Sequence, residues 1–260
     1  NSPSSMLLLG RVLPLTGTAK DTEALDLANE VIGSGFLSRL NMDLRETKGW
    51  TYGVGTGLTG VVGPRAAIAQ TLVQADRTGD SIKAIFEQMK AFPAGKGVDA
   101  VELQRVTEGN IANLPTRFQT NSQVLGALLT NRRFGRPDDY QARLGEIYRG
   151  IDAAEIDAAA AQYLQPDEMV VIVVGDRSDV HLRAIEMGVR IIIVTGGHRM
   201  KPEVLERAKA AKVSVAYADT DSATSSSSTR RSCARSRSGA AASWVRLPPA
   251  RSTSKARSSW

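Results

Sequence analysis

A change in the spacing of apolar residues between positions 36 and 59 constrains this fold more than any other feature. Four apolar residues first recur at helical spacing, at Phe36, Leu37, Leu40 and Leu44. This spacing predicts an amphipathic helix over Leu37–Glu46, which Gly49 would end in a left-handed conformation. From Trp50 the spacing becomes two, and one face of a predicted strand carries Trp50, Tyr52, Val54, Thr56 and Leu58. The sequence therefore predicts a helix joined by a tight turn to a strand.

The opposite face of the predicted strand carries three glycines, Gly53, Gly55 and Gly57. Each glycine weakens a strand, so a run of them on one face needs a structural reason. We expect a closely packed helix on this bare face, and the alternative is the close approach of another backbone.

The residues around this helix and strand form a pattern that resembles a known family. From Gly33 to Tyr52 the pattern is G-x-x-F-x-S-R-L-…-L-R-E-x-x-G-x-x-Y. It is similar to the second domain of the pitrilysin/insulinase-type zinc metallopeptidases, the inverted zincins, and the similarity runs from about Ser5 to about Arg177. By this resemblance, Arg45 and Tyr52 form a pair that contacts the peptide substrate opposite the zinc. Without it, Arg45 and its acidic neighbours would be interpreted as a solvated helix end.

The zinc-binding motif of these peptidases is absent from the sequence. Inverted zincins need H-x-x-E-H, in which two histidines bind zinc and the glutamate is the general base. The two histidines of this chain, His181 and His198, lie outside the peptidase-like part and form no such motif. We expect both at the surface, His181 on a helix and His198 in a turn. The chain therefore cannot hydrolyse peptides alone, and zinc is expected only in a partner domain.

These observations predict the substrate-binding C-terminal half, or subunit, of a zinc metallopeptidase. The expected partners are a zinc-carrying domain or subunit, in a heterodimer if the two are separate chains, and a peptide substrate. The alternative is a non-catalytic assembly subunit of the same fold, since members of the family without zinc serve as structural subunits of respiratory complexes. In a third interpretation, residues 176–217 sense a nucleotide and a basic tail binds nucleic acid weakly.

The order of predicted elements indicates an α+β fold, with helices packed on one face of a largely antiparallel sheet. Strands are predicted at Met6–Leu13, Trp50–Thr59, Arg65–Gln74 and Glu168–Val174. Further helices are predicted from Asp21 or Thr22 to Ile32, and at Asp80–Phe92, Val98–Leu114, Asn121–Phe134, Asp138–Tyr148 and Ala153–Tyr163. Asp152 and Glu155 are spaced as a capping box at the start of the last helix.

After residue 177 the pattern changes to a short α/β segment. A helix to Met187, a strand over Val189–Val194, a helix over Pro202–Ala211 and a strand over Val213–Tyr217 are predicted. Residues 175–217 resemble part of a DRTGG-type domain in G-D-R-x-D, V-T-G-G and P-E-V-L. This segment is too short to fold alone as a full layer. The predicted organisation is a substrate-binding domain over 1–177, a partial α/β segment over 178–220 and a tail over 221–260.

The tail is rich in serine, arginine and alanine, so it is predicted to be disordered, and it also resembles an out-of-frame translation. Residues 222–260 hold eight of the 33 lysines and arginines and no acid. The remaining 25 basic residues face all 27 acids in residues 1–221, for a net charge of −2 there. The body is therefore not a basic domain built for nucleic acid.

The cysteine count and the lengths of the apolar runs say little about the cellular compartment of the protein. Cys233 is the single cysteine, which excludes an internal disulfide. No apolar run reaches about 18 residues, so no membrane-spanning helix is predicted. No signal peptide is recognised, and the first residues read as the interior of a longer protein. We expect a soluble protein of the bacterial cytoplasm or periplasm.

Overall fold

The computed structural model describes residues 4–92, 94, 96–175, 178–186, 189, 191–194 and 199–217. Its strands are β1 (Ser4–Thr16), β2 (Thr51–Leu58), β3 (Pro64–Gln74), β4 (Val170–Val174), β5 (Ile191–Val194) and β6 (Ser214–Tyr217). Its α-helices are α1 (Thr22–Asn29), α2 (Thr78–Ala91), α3 (Ala100–Asn113), α4 (Asn121–Arg133), α5 (Tyr140–Gly150), α6 (Ala153–Tyr163), α7 (Ser178–Glu186) and α8 (Pro202–Ala210). Two π-helical segments, Glu30–Ser34 and Asn41–Thr47, lie between α1 and β2, and the second is called the motif helix below.

The described strands form one sheet in the order β2-β3-β1-β4-β5-β6. β1 pairs antiparallel with both β3 and β4, and β2 pairs antiparallel with β3. β5 and β6 continue the sheet in parallel with β4. The predicted α+β class, with a largely antiparallel sheet followed by a short α/β segment, is therefore confirmed. Residues 218–260, which include the predicted disordered tail, lie outside the described residues.

One face of the sheet is buried under the helices. On β1, Leu9 is fully buried and lies between Ala69 of β3 and Val171 of β4. The fully buried helix residues that complete this core include Leu25, Ile82, Ile85 and Ile156. Because side chains alternate along a strand, Val12 of β1 and Leu72 of β3 point to the other face, where both are exposed.

Local signals set the helix ends. The predicted capping box is present, since the Asp152 carboxylate accepts from the Glu155 N–H at 2.9 Å and the Glu155 carboxylate accepts from the Asp152 N–H at 3.0 Å. Capping boxes also start α3 at Asp99 and α4 at Thr120. The predicted bounds of α2 to α6 agree with the structure to within two residues at each end.

β1 continues past its predicted end at Leu13 and runs through Pro14 to Thr16. Val12 pairs with Ala66, but the next pair is Thr16 with Pro64, so the register shifts between them. Pro14 has no N–H to donate to a ladder, and the shift spans it. A proline therefore interrupted the hydrogen bonding without ending the strand.

The segment after residue 177 extends the sheet. α7 connects β4 to the parallel β5, and α8 connects β5 to β6. Ile172 of β4 pairs with Ile191 of β5, so the segment after residue 177 hydrogen-bonds to the edge strand of the preceding sheet. The domain boundary predicted between residues 177 and 178 stays a prediction.

His181 corrects one expectation about this segment. It was expected at the surface, but it is 2% exposed, and its Nε2 lies 3.3 Å from the Gly175 carbonyl oxygen. The reason is that Ala184 and Ile185 follow at helical spacing and are buried, so His181 shares the inward face of α7. The V-T-G-G stretch, His198 with its predicted turn, and Cys233 lie outside the residues that the structure describes, apart from Val194.

Among the described helices, none has the length and apolar character needed to cross a bilayer.

Candidate functional site

The motif helix differs from the α-helix predicted over Leu37–Glu46. The described residues turn helical only at Arg39, and Asn41–Thr47 is π-helical, with the Lys48 N–H donating to the Asp43 carbonyl at 2.9 Å. Gly49 ends the helix at φ +63°, as predicted.

The late start of the helix leaves two apolar residues of the predicted stripe at the surface. Leu40 and Leu44 are fully buried, as the helical spacing predicted. Phe36 and Leu37 instead lie in the turn before the helix and are 62% and 56% exposed. Their assignment to the buried face was therefore wrong, because helical spacing does not apply to residues outside the helix.

A β-bulge at the start of β2 re-aims Tyr52. Thr51 pairs with Val73 and Val54 pairs with Thr71, so one extra residue of β2 lies between the two pairs. A bulge of this kind changes which face the following residues occupy. Val54 turns inward, whereas Tyr52 is 92% exposed. The prediction that Tyr52 and Val54 share a face is therefore wrong.

The glycine face of β2 is open. A Cβ added at Gly55 or Gly57 would meet no described atom within 4 Å, and at Gly53 it would meet only Asn41 Oδ1 at 3.6 Å. The motif helix therefore approaches this face only at Gly53, through Asn41. At Gly55 and Gly57 no described helix or backbone atom lies within 4 Å of the added Cβ. The glycines leave an uncovered strip of strand beside Tyr52.

Two glycines of this region should respond differently to substitution by alanine. A Cβ at Gly33 would lie 2.3 Å from Thr56 Cγ2, so Gly33→Ala should lower the unfolding free energy by about 1–3 kcal/mol through overpacking. Gly55→Ala should leave it unchanged or raise it by about 0.5 kcal/mol, because the space is open. Urea unfolding of both variants measures the difference, and a large loss at Gly55 would mean that something covers this face.

Arg45 lies against two exposed aromatic rings. Its guanidinium carbon is 4.1 Å from the centre of the Phe36 ring and 5.6 Å from that of the Tyr52 ring. Both distances are in the range of cation–π attraction. Its carboxylate neighbour is Glu46, whose Oε1 lies 3.4 Å from the Arg45 Nε. We call Phe36, Arg45 and Tyr52 the arginine–aromatic cluster. The two residues that the sequence singled out are thus brought together, and Phe36 joins them.

Asn41 holds the elements that carry the cluster. Its side chain is nearly buried, and its Oδ1 accepts from the Val54 N–H at 2.8 Å. Its Nδ2 lies 2.9 Å from the Val54 carbonyl, 3.0 Å from the Gly35 carbonyl and 3.1 Å from Ser38 Oγ. One amide therefore ties the motif helix both to β2 and to the turn that carries Phe36. The sequence analysis did not identify Asn41. Its position directly after the apolar Leu40, near the buried face of the helix, could have indicated a buried polar side chain.

Arg39 has a structural role beside the cluster. Its guanidinium forms a paired contact with the Glu102 carboxylate, at 2.7 Å from Nε and 2.6 Å from Nη2. It also donates to the carbonyls of Lys96 and Gly97, and it stacks on the Phe92 ring at 4.6 Å. Such bidentate pairs fix geometry as well as adding energy. Arg39 therefore anchors the start of the motif helix to α3, and Arg45 is the more exposed of the two arginines of the motif.

A second polar cluster lies between α1, α4 and α5. It borders an open cavity of about 430 Å³, whose lining includes Asp26, Arg117, Arg136 and Tyr140. The Glu23 carboxylate accepts from the Tyr140 hydroxyl and from the Arg136 guanidinium. Burial and the adjacent Glu23 raise the pKa of Tyr140, which keeps its hydroxyl protonated. Sequence reasoning missed this cluster, because its members are far apart in the chain.

The comparisons with known proteins agree with the motif. Residues 1–110 match the family model described as the peptidase M16 inactive domain, and residues 138–232 match the DRTGG domain. M16 is the pitrilysin/insulinase group, so the predicted resemblance is confirmed over residues 1–110. The DRTGG resemblance, predicted over 175–217, is confirmed over a wider range. No curated protein sequence matches the chain significantly.

Solved structures share the fold. A peptidase M16 inactive domain from Pseudomonas fluorescens is 22% identical with a TM-score of 0.61, over 66% of this chain and 41% of that one. A protease from Helicobacter pylori is 15% identical with a TM-score of 0.57, over 66% and 41%. An inactive peptidase domain from Bordetella parapertussis is 19% identical with a TM-score of 0.55, over 66% and 91%. At these identities the comparisons show the fold alone. The chain spans less than half the length of the first two structures.

Proposed function

We propose that this chain is the substrate-binding half of a zinc metallopeptidase, whose zinc and general base lie on a companion domain or subunit. The proposal draws on the match to an inactive peptidase domain and on the absence of H-x-x-E-H from the sequence. Among the described residues, no three His, Cys, Asp or Glu side chains are grouped to hold a metal ion. The described residues therefore offer no zinc site, and in this proposal the zinc belongs to the companion.

The observation that carries the proposal is the arginine–aromatic cluster. Tyr52 is almost fully exposed, and the Phe36 and Tyr52 rings lie against the Arg45 guanidinium. The Glu46 carboxylate lies beside Nε, so the N–H groups on the two Nη atoms are the ones proposed to meet a ligand. The guanidinium N–H groups of Arg45 only donate hydrogen bonds, whereas the Tyr52 hydroxyl can both donate and accept. A peptide lying across the cluster would offer them its carbonyl oxygens.

The cluster would act by positioning the peptide and by stabilising negative charge that develops on it. The companion zinc, when bound, would polarise the scissile carbonyl and activate water. Arg45 and Tyr52 would donate hydrogen bonds to substrate carbonyl oxygens near that bond, in a site closed from water by the companion. Donors fixed before the reaction cost little reorganisation, and the Asn41 bonds supply that fixation.

Removal of the Tyr52 hydroxyl tests this role without disturbing the fold. In the assembled enzyme, Tyr52→Phe should lower kcat/KM by about two- to tenfold, the value of one neutral hydrogen bond. The ring that Arg45 contacts is kept, so the unfolding free energy should not change. Tyr217→Phe is the matched control, because Tyr217 lies on β6 at the opposite edge of the sheet. Equal rates for all three proteins would remove Tyr52 from the site.

A further inference from the structure

The outer face of α4 is apolar and exposed. Leu125, Leu128 and Leu129 are spaced i, i+3 and i+4, and they are 57%, 53% and 61% exposed. Residues at this spacing form one continuous stripe on a helix. Isolated exposed leucines are ordinary, whereas three neighbouring ones on one helix form a contiguous apolar surface, the feature that contact sites share.

Contacts near both ends of α4 fix its position on the domain. Its inner face contributes Gln123, Ala127 and Thr130 to the lining of the cavity of about 430 Å³. At the N-terminus the Thr120–Gln123 capping box fixes the first turn. Near the C-terminus Asn131 is buried and its Oδ1 accepts from Gln141 Nε2 at 2.8 Å. The described part of the chain therefore positions α4 without covering its leucines.

The charge on α4 narrows the kind of partner. The helix sequence NSQVLGALLTNRR has no acid and ends in Arg132 and Arg133, both exposed. Arg132 continues the leucine stripe at i+7 from Leu125, and neither arginine pairs with a carboxylate among the described residues. A second copy of α4 would bring leucines but no carboxylate to these arginines. The face is complementary instead to an amphipathic helix that carries aliphatic residues and acids.

We propose that the outer face of α4 docks such an acidic amphipathic helix of the companion domain. The inference rests on the proposed function, since it assumes that a companion exists. Two of the solved structures with this fold, from Pseudomonas fluorescens and Helicobacter pylori, extend well beyond the matched part, which covers 41% of each. An apolar centre bordered by a polar rim, with arginine enriched, is the usual composition of a docking surface.

Affinity measurements test the docking surface. The full chain is titrated with a separately produced H-x-x-E-H domain from the same genome, and the Kd is measured by calorimetry. Leu125→Ser/Leu129→Ser should weaken binding about 30- to 100-fold. Arg132→Glu/Arg133→Glu should weaken it about tenfold and reduce its salt dependence. Val12→Ser/Leu72→Ser is the control, because these residues are exposed to a similar degree on the outer face of the sheet, and it should change the Kd less than about twofold.

The outcomes separate the docking surface from the proposed function. Unchanged affinity of both α4 variants would overturn the docking surface while the cluster could still act in catalysis. Failure of the unmodified chain to bind the companion would overturn both proposals. A homodimer in sedimentation experiments that dissociates in Leu125→Ser/Leu129→Ser would show that a second copy covers α4, which also overturns the inference.

Discussion

Replacing Arg45 by alanine is expected to lower kcat/KM of the assembled peptidase about ten- to a hundredfold. Hydrogen bonds from a charged donor contribute about 1.5–3 kcal/mol, and that loss converts to the stated decrease in rate. The side chain is 27% exposed and stacks on two exposed rings, so its removal should affect binding and catalysis more than stability. Steady-state kinetics on one peptide, with the variant and the unmodified chain in equal complex with the companion, measures the effect.

Two variants sharpen this prediction. Arg45→Lys keeps the charge but lacks the planar guanidinium, so it should recover only part of the lost activity. Arg77→Ala is the matched control, because Arg77 also lies over an aromatic ring, that of Trp50 at 5.8 Å, but outside the cluster. Equal kcat/KM for Arg45→Ala and Arg77→Ala would contradict the role given to Arg45.

Replacing Asn41 by leucine is expected to lower the free energy of unfolding by about 2–6 kcal/mol. The change removes four hydrogen bonds and leaves the Val54 N–H and carbonyl without their partner at a buried position. An unmet buried polar group costs about 1–3 kcal/mol, and two such groups are created. Urea unfolding followed by circular dichroism measures the loss.

The same variant should also impair the site. Without the amide, the motif helix is no longer tied to β2, so Arg45 and Tyr52 lose their fixed separation. An Asn113→Leu variant at an exposed position of α3 is the control, and it should stay within about 0.5 kcal/mol of the unmodified chain. If Asn41→Leu were as stable as this control, the bonds to Val54 would not contribute as described.

Local patterns in the sequence predicted the elements, but not how two of them depart from regular geometry. Period-two spacing placed Tyr52 with Val54, because the extra residue of a bulge has no composition that marks it. Helical spacing likewise placed Phe36 beside the buried Leu44, although the helix starts later. Both departures lie in the candidate site and decide which side chains reach solvent.

Contacts between distant parts of the chain account for the other differences. Asn41 bonds to Val54 across the turn, and the cavity cluster joins Glu23 to Arg136 across 113 positions. The spacing of apolar residues within one helix or strand does not indicate which distant residues will be in contact. The parallel addition of β5 to β4 was also not predictable from spacing, because it depends on which sheet edge is available.

The most direct test of the account is peptide hydrolysis by this chain alone, by the H-x-x-E-H domain alone, and by their mixture, each with zinc and with a chelator. We expect no hydrolysis by this chain, little by the companion, and strong zinc-dependent hydrolysis by the mixture that Arg45→Ala reduces. A stable complex without activity would favour an assembly subunit instead. Full activity of the companion alone, unchanged when this chain is added, would contradict the substrate-binding role.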